Sequence, residues 1–120
     1  MKMANDRELL ELAAKTLELN LYKADSNDGG GFYLYKDTPS GNKELTAWNP
    51  LEEDGDCARM EADVGINLEW GTDFVCAIDL DGNEVCEYFK DHNGDKQAAR
   101  RMASLRVASD IGRAMQSDKR

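Results

Sequence analysis

Phe74-Val75-Cys76-Ala77-Ile78-Asp79-Leu80-Asp81-Gly82-Asn83-Glu84-Val85-Cys86-Glu87-Tyr88-Phe89 is the stretch that decides the fold. Two runs rich in β-branched and aromatic residues flank Asp81-Gly82-Asn83, and Asp-Gly between such runs is a strong hairpin signal. A two-residue turn would pair Ile78 with Val85, and a three-residue turn with a bulge would pair Ile78 with Cys86. The two registers put opposite faces on the core, and the sequence leaves both open. Leu68-Glu69-Trp70 can add a strand ahead of the hairpin, so the segment from Asn67 to Phe89 reads as antiparallel β-structure.

On either side of it the pattern turns helical. Asn5 can cap a first helix, with Glu8 three residues on closing a capping box. Leu10, Ala13, Ala14, Leu17 and Leu21 follow as one apolar stripe, and Leu9 and Leu12 widen it. Glu8, Glu11, Lys15 and Glu18 take the opposite face, where Glu11 and Lys15 form a favourable i,i+4 pair. At the other end, Asp95 opens a long helix with a stripe of Ala98, Met102, Leu105, Ala108, Gly112 and Met115. Lys96, Arg100, Arg106 and Arg113 lie off that stripe. A polar loop with three successive glycines, 24–31, precedes the aromatic strand Phe32-Tyr33-Leu34-Tyr35. A turn at 38–42 leads to Leu45-Thr46-Ala47-Trp48, a short strand or an extended lead-in.

Asn49-Pro50 then starts a second helix, with Asn49 as cap, Pro50 at the first helical position and Glu52 where a capping box wants a carboxylate. Gly55 costs about 1 kcal/mol inside a helix, which also allows Pro50 to Asp54 to form a separate turn ahead of it. Cys57, Met60 and Val64 make the stripe, and Gly65 is a stop signal. Three amphipathic helices and several strands, with no internal repeat and no linker, predict a single α+β domain over residues 1–120. Its small, mainly antiparallel sheet carries the helices as an α/β/α sandwich.

Composition narrows function by exclusion. At 41% hydrophobic residues the chain can build a core and is not disordered. Its apolar runs are too short to cross a bilayer, and Met1 to Arg7 leads into a charged amphipathic segment rather than a signal core. A soluble protein of the cytoplasm is expected, with no membrane partner. Cys57, Cys76 and Cys86 show no CxxC spacing and read as buried small hydrophobes in a reducing compartment, with a disulfide the weaker reading. The net charge is −9: residues 1–89 carry seven basic and twenty acidic side chains, residues 90–120 eight and four. That acidic majority repels phosphate and argues against general nucleic-acid binding.

Chemistry-bearing groups are few. Glu52, Glu53, Asp54 and Asp56 could offer oxygens to a divalent cation, but a helix start explains them without a metal. Asp79, Asp81, Asn83 and Glu84 lack the spacing of a calcium loop. His92 has no zinc-ligand neighbours in sequence, and a nucleophilic pair would need one of the cysteines to meet it in space. Gly29-Gly30-Gly31 precedes no Lys-Ser/Thr pair, so no phosphate cradle and no cofactor is expected. Phe32, Tyr33 and Tyr35 lack an RNA-recognition motif and serve sheet packing. Arg100, Arg101, Arg106 and Arg113 fit a solvated face that neutralises acidic neighbours.

Trp48-Asn49-Pro50-Leu51, the acidic Glu52-Glu53-Asp54-Gly55-Asp56, Arg59-Met60, and Ala98-Ala99-Arg100 through Ile111-Gly112 resemble the phage ABA sandwich domain family, small accessory proteins of tailed phages. Leu10-Glu11-Leu12-Ala13-Ala14-Lys15 is similar to that family's opening helix. Ala58 and Glu61 stand where the family is more apolar, which implies looser packing of the second helix. The resemblance implies a helix–sheet–helix sandwich and a phage origin, and brings no catalytic set. The function expected on these grounds is non-enzymatic binding of a host or phage protein, in one version the inhibition of a host defence complex. Trp48, Glu52, Glu53, Asp54, Asp56, Arg100, Arg106 and Arg113 are the candidate contact residues. A metal-dependent hydrolase using Asp54, Asp56 and Asp79 is the alternative, and self-assembly through a sheet edge or helix face a third.

Overall fold

A computed structural model describes residues 5–25, 27, 30–37, 39–41 and 43–117. The chain has an α+β fold in which three helices pack on antiparallel sheets. The elements run α1 (Asp6–Thr16), β1 (Asn20–Lys23), β2 (Phe32–Asp37), β3 (Lys43–Ala47), α2 (Asp54–Val64), β4 (Asn67–Trp70), β5 (Phe74–Ile78), β6 (Glu84–Tyr88), a 3-10 turn (Phe89–His92) and α3 (Lys96–Ser117). The β-structure divides into two three-stranded sheets, β1-β2-β3 and β4-β5-β6, each ordered as in the chain.

The first helix begins as its capping box dictates. Asn5 accepts the Glu8 N–H at 2.9 Å, and its amide donates back to the Glu8 carboxylate at 3.2 Å. It ends at Thr16, earlier than the leucine spacing predicts. Glu18 turns the chain with φ 58°, a left-handed conformation uncommon outside glycine. Leu21 therefore belongs to β1 and not to the helical stripe. The i,i+4 ion pair on α1 is Arg7–Glu11 at 3.1 Å, while Lys15 donates to Asn20 at the start of β1. Of the expected loops, residues 26, 28, 29, 38 and 42 lie outside the described residues, as does the tail 118–120.

The second helix takes the later of its two possible starts. Residues 50–52 form a turn and α2 opens at Asp54, so Gly55 stands in its first turn. Gly65 closes it in the left-handed region at φ 87°, as its sequence position requires.

The hairpin adopts neither anticipated register: Ile78 pairs with Glu84, Ala77 with Val85 and Cys76 with Cys86. The Asp79 carboxylate sets it, accepting the N–H groups of Asp81 and Asn83 and the Asn83 side-chain amide, each at 2.9 Å. These bonds hold Asp79–Asn83 as one tip, closed by Asp79 N–H to the Asn83 carbonyl. The register corrects the reading of the cysteines. Cys57 is the buried free thiol expected of all three, whereas Cys76 and Cys86 stand directly opposite one another, Cα atoms 4.0 Å apart, and are disulfide-bonded.

One core joins the parts. Leu10, Ala13 and Ala14 of α1, Leu34 of β2, Trp48, Cys57 and Met60 of α2, Ala77 of β5 and Leu105, Val107 and Ala108 of α3 are all buried in it. A satellite of Val75, Phe89 and Ala99 continues it under β4-β5-β6. The long helix α3 is the hub, packing on β5 and β6, on α1 and on α2. Alanines and serines around its circumference let these neighbours close in.

Candidate functional site

The corner after Trp48 is built by its own polar groups. Leu51 N–H donates to the Asn49 side chain at 3.1 Å, and Glu53 N–H to the Asn49 carbonyl at 2.8 Å. From the first turn of α2 the Asp56 carboxylate reaches back to accept Asn49 N–H at 2.9 Å, and its other oxygen accepts from Arg59. Arg101 of α3 clamps the same corner, donating to the Leu51 carbonyl at 2.7 Å and to Asp54 at 2.6 Å. Asp54 and Asp56 thus have cationic and amide partners within the fold. Glu52 and Glu53 remain exposed to solvent. Trp48 is buried, 6% exposed, beneath the corner.

The arginines of α3 divide by role. Arg100 makes a two-pronged contact with Glu61 of α2 at 3.0 and 2.5 Å, with Ser104 at 2.6 Å and the Cys57 thiol at 3.5 Å on the same carboxylate. Glu61, expected to loosen the second helix, is buried and fully engaged. The hydrogen bonds that Arg100 donates to it, with its negative charge behind them, raise the affinity of Arg100 for its proton, and burial beside Glu61 pushes the Cys57 thiol up to about 12. A thiol so held stays protonated and is no nucleophile. His92 sits elsewhere, its Nε2 2.8 Å from Glu87, which also receives Arg106, so His92 and Cys57 serve different carboxylates. Arg113 is exposed, 3.4 Å from Asp110. Asp79 lies at the hairpin tip, where the Asn83 amide holds its carboxyl below the usual range. Its oxygens are taken by that turn, so Asp54, Asp56 and Asp79 are each committed to local partners. Tyr33 and Tyr35 pair in register with Ala47 and Leu45, on the face of β1-β2-β3 opposite to buried Leu34.

Two hollows flank the corner. The smaller, about 300 Å³, brings Glu52 and His92 beside Leu10, Phe32 and Met102, with no serine, cysteine or lysine on its wall among the described residues. The larger, an open groove of about 680 Å³, lies where the end of α1, β2, the Trp48 corner and α2 converge. Leu17, Leu34, Met60 and Met115 supply apolar wall, and Glu18, Asp56 and Asp63 supply carboxylates, with Arg59 on Asp56 the one cation there among the described residues. Trp48 and Asp56 connect this groove to the stretch the sequence singles out. Nothing in the sequence marks Glu18, Asp63 and Met115 as site residues, because only the left-handed turn at Glu18 and the fold bring them together.

Comparison with known proteins finds no match: no protein family, no curated protein and no solved structure. Among the described residues no helix is long and apolar enough to cross a membrane.

Proposed function

We propose that this protein is a non-enzymatic binding protein, a phage-encoded accessory protein acting in the host cytoplasm on a host or phage protein with a basic surface. The groove carries this reading: an apolar wall of Leu17, Leu34, Met60 and Met115 edged by Glu18, Asp56 and Asp63 suits an apolar side chain flanked by lysine or arginine. Glu52 and Glu53 add exposed carboxylates at the corner, and the net charge of −9 steers a basic partner toward the protein. An inhibitor of a host defence complex is the specific form we favour, its carboxylates standing in for nucleic-acid phosphates.

Affinity capture from host lysate tests it with two variants of equal net charge. Glu18→Lys with Asp63→Lys reverses the groove edge, and Glu69→Lys with Asp81→Lys reverses a remote surface. A basic protein retained by the wild type and the remote variant, and lost with the groove variant, is the expected result. Equal recovery by both variants, or no specific recovery, rejects the reading.

A further inference from the structure

The outward face of β4-β5-β6 carries a second arrangement, independent of the groove. Val75 and Ala77 are buried, and Leu68 packs with them, so Cys76 and its cross-strand partner Cys86 occupy the other face of the sheet. Glu84 is two residues from Cys86 on the same strand and shares that face. One oxygen of Glu84 and the two sulfurs all lie within 4.8 Å of one another. Glu69 stands opposite Cys76 on β4, adding a second carboxylate to the same face. Glu84 is exposed and Cys86 half-buried while Cys76 is buried, so solvent reaches the pair from the Cys86 and Glu84 side.

We propose that Cys76, Cys86 and Glu84 form a redox-gated site for a thiophilic divalent cation of the Zn²⁺ class. A dithiol reductant delivers two electrons and two protons to the Cys76–Cys86 bond and closes into its own disulfide, leaving two thiols. Each thiol then releases one proton to solvent as its sulfur bonds the metal, and the Glu84 carboxylate supplies the third ligand. A tetrahedral site holds two thiolates about 3.8 Å apart, a separation that side-chain rotation reaches from directly opposed strand positions. The fourth position is left to water. Two thiolates and one carboxylate on a divalent ion leave the site with a charge of about −1. Oxidation to the disulfide removes both sulfur ligands, so the same residues hold the metal only in reducing surroundings. Cys57, buried in the core with its thiol held protonated, is no competing ligand.

The test is anaerobic Co²⁺ titration of the full chain, reduced with a dithiol and desalted, with Zn²⁺ as competitor. The reduced wild type and Cys57→Ser should each bind one Co²⁺ with a thiolate-to-metal charge-transfer band that Zn²⁺ abolishes. The oxidised wild type should show none. Glu84→Gln, a surface change, should weaken binding by about tenfold or more. The absence of the band in the reduced wild type overturns the proposal, as does a band that survives in the Cys76→Ser, Cys86→Ser double variant. Loss of far-UV circular dichroism on reduction that Zn²⁺ does not restore overturns it equally.

Discussion

Gly112 of α3 lies against the Leu12 carbonyl of α1 so closely that a Cβ on Gly112 would stand 1.8 Å from that oxygen. The clashing atom is backbone, so only a shift of a whole helix relieves it. Gly112→Ala should therefore destabilise by about 1–3 kcal/mol despite alanine's better helix propensity. Gly55→Ala is the counterpart, because its Cβ would meet only the flexible end of Arg59, at 3.4 Å. It should stabilise by roughly 0.5–1 kcal/mol. Urea unfolding of both variants checks the pair, and a stable Gly112→Ala would refute the helix crossing.

Arg100 is mostly buried against Glu61, their side chains 16% and 10% exposed. Arg100→Met leaves a carboxylate with only Ser104 and Cys57 as donors, and should cost about 3–5 kcal/mol. Glu61→Leu alone strands the guanidinium at a similar cost. The double variant should cost far less than the two together, a coupling that a double-mutant cycle measures directly.

The Cys57 thiol, raised from 9.0 to about 12 in the fold, gives an alkaline signature. Below pH 9 both folded and unfolded chains keep this proton, and its contribution to stability is fully present. From pH 9 to about 12 the unfolded chain ionises first, so stability falls as pH rises. Cys57→Ala should flatten that part of the profile. In native, reduced protein at pH 8, iodoacetamide should label half-buried Cys86 well before Cys57, which peptide mass spectrometry reads out.

Thermal unfolding of the oxidised protein with Mg²⁺, Mn²⁺ or Ca²⁺ separates the binding reading from a metal-dependent hydrolase. No rise in Tm is expected, since Asp54, Asp56 and Asp79 already have partners. A shift that grows with metal concentration and disappears in Asp54→Asn with Asp56→Asn would favour the hydrolase.

Local signals were legible in the sequence, and long-range ones were not. Asn5, Gly65 and Asp95 mark helix ends through bonds or conformations that span four residues or fewer, and all three act as their positions predict. β1 was hidden because Leu17 and Leu21 fit a helix while Leu19 and Leu21 fit a strand; the turn at Glu18 decides between them. The cysteine pairing depended on the tip length, which the Asp79–Asn83 bonds set and which no pairing rule for Asp-Gly turns contained. Glu61 did leave a trace: it sits four residues after Cys57, on the apolar face of α2, where a carboxylate demands a cation. That the cation is Arg100, 39 positions on, is a property of the packed fold. The groove is likewise assembled from distant segments, so the sequence showed Trp48 and Asp56 without the walls around them.

The central place of α3 has a consequence for how the chain is made. A ribosome synthesises β4-β5-β6 and the other two helices before the element they lean on has left the exit tunnel. Until then, their apolar faces have only one another or a chaperone for cover. Successful folding in the cell thus hinges on how quickly this late helix is captured, and a stall or stop ahead of it would leave a sticky, protease-sensitive fragment.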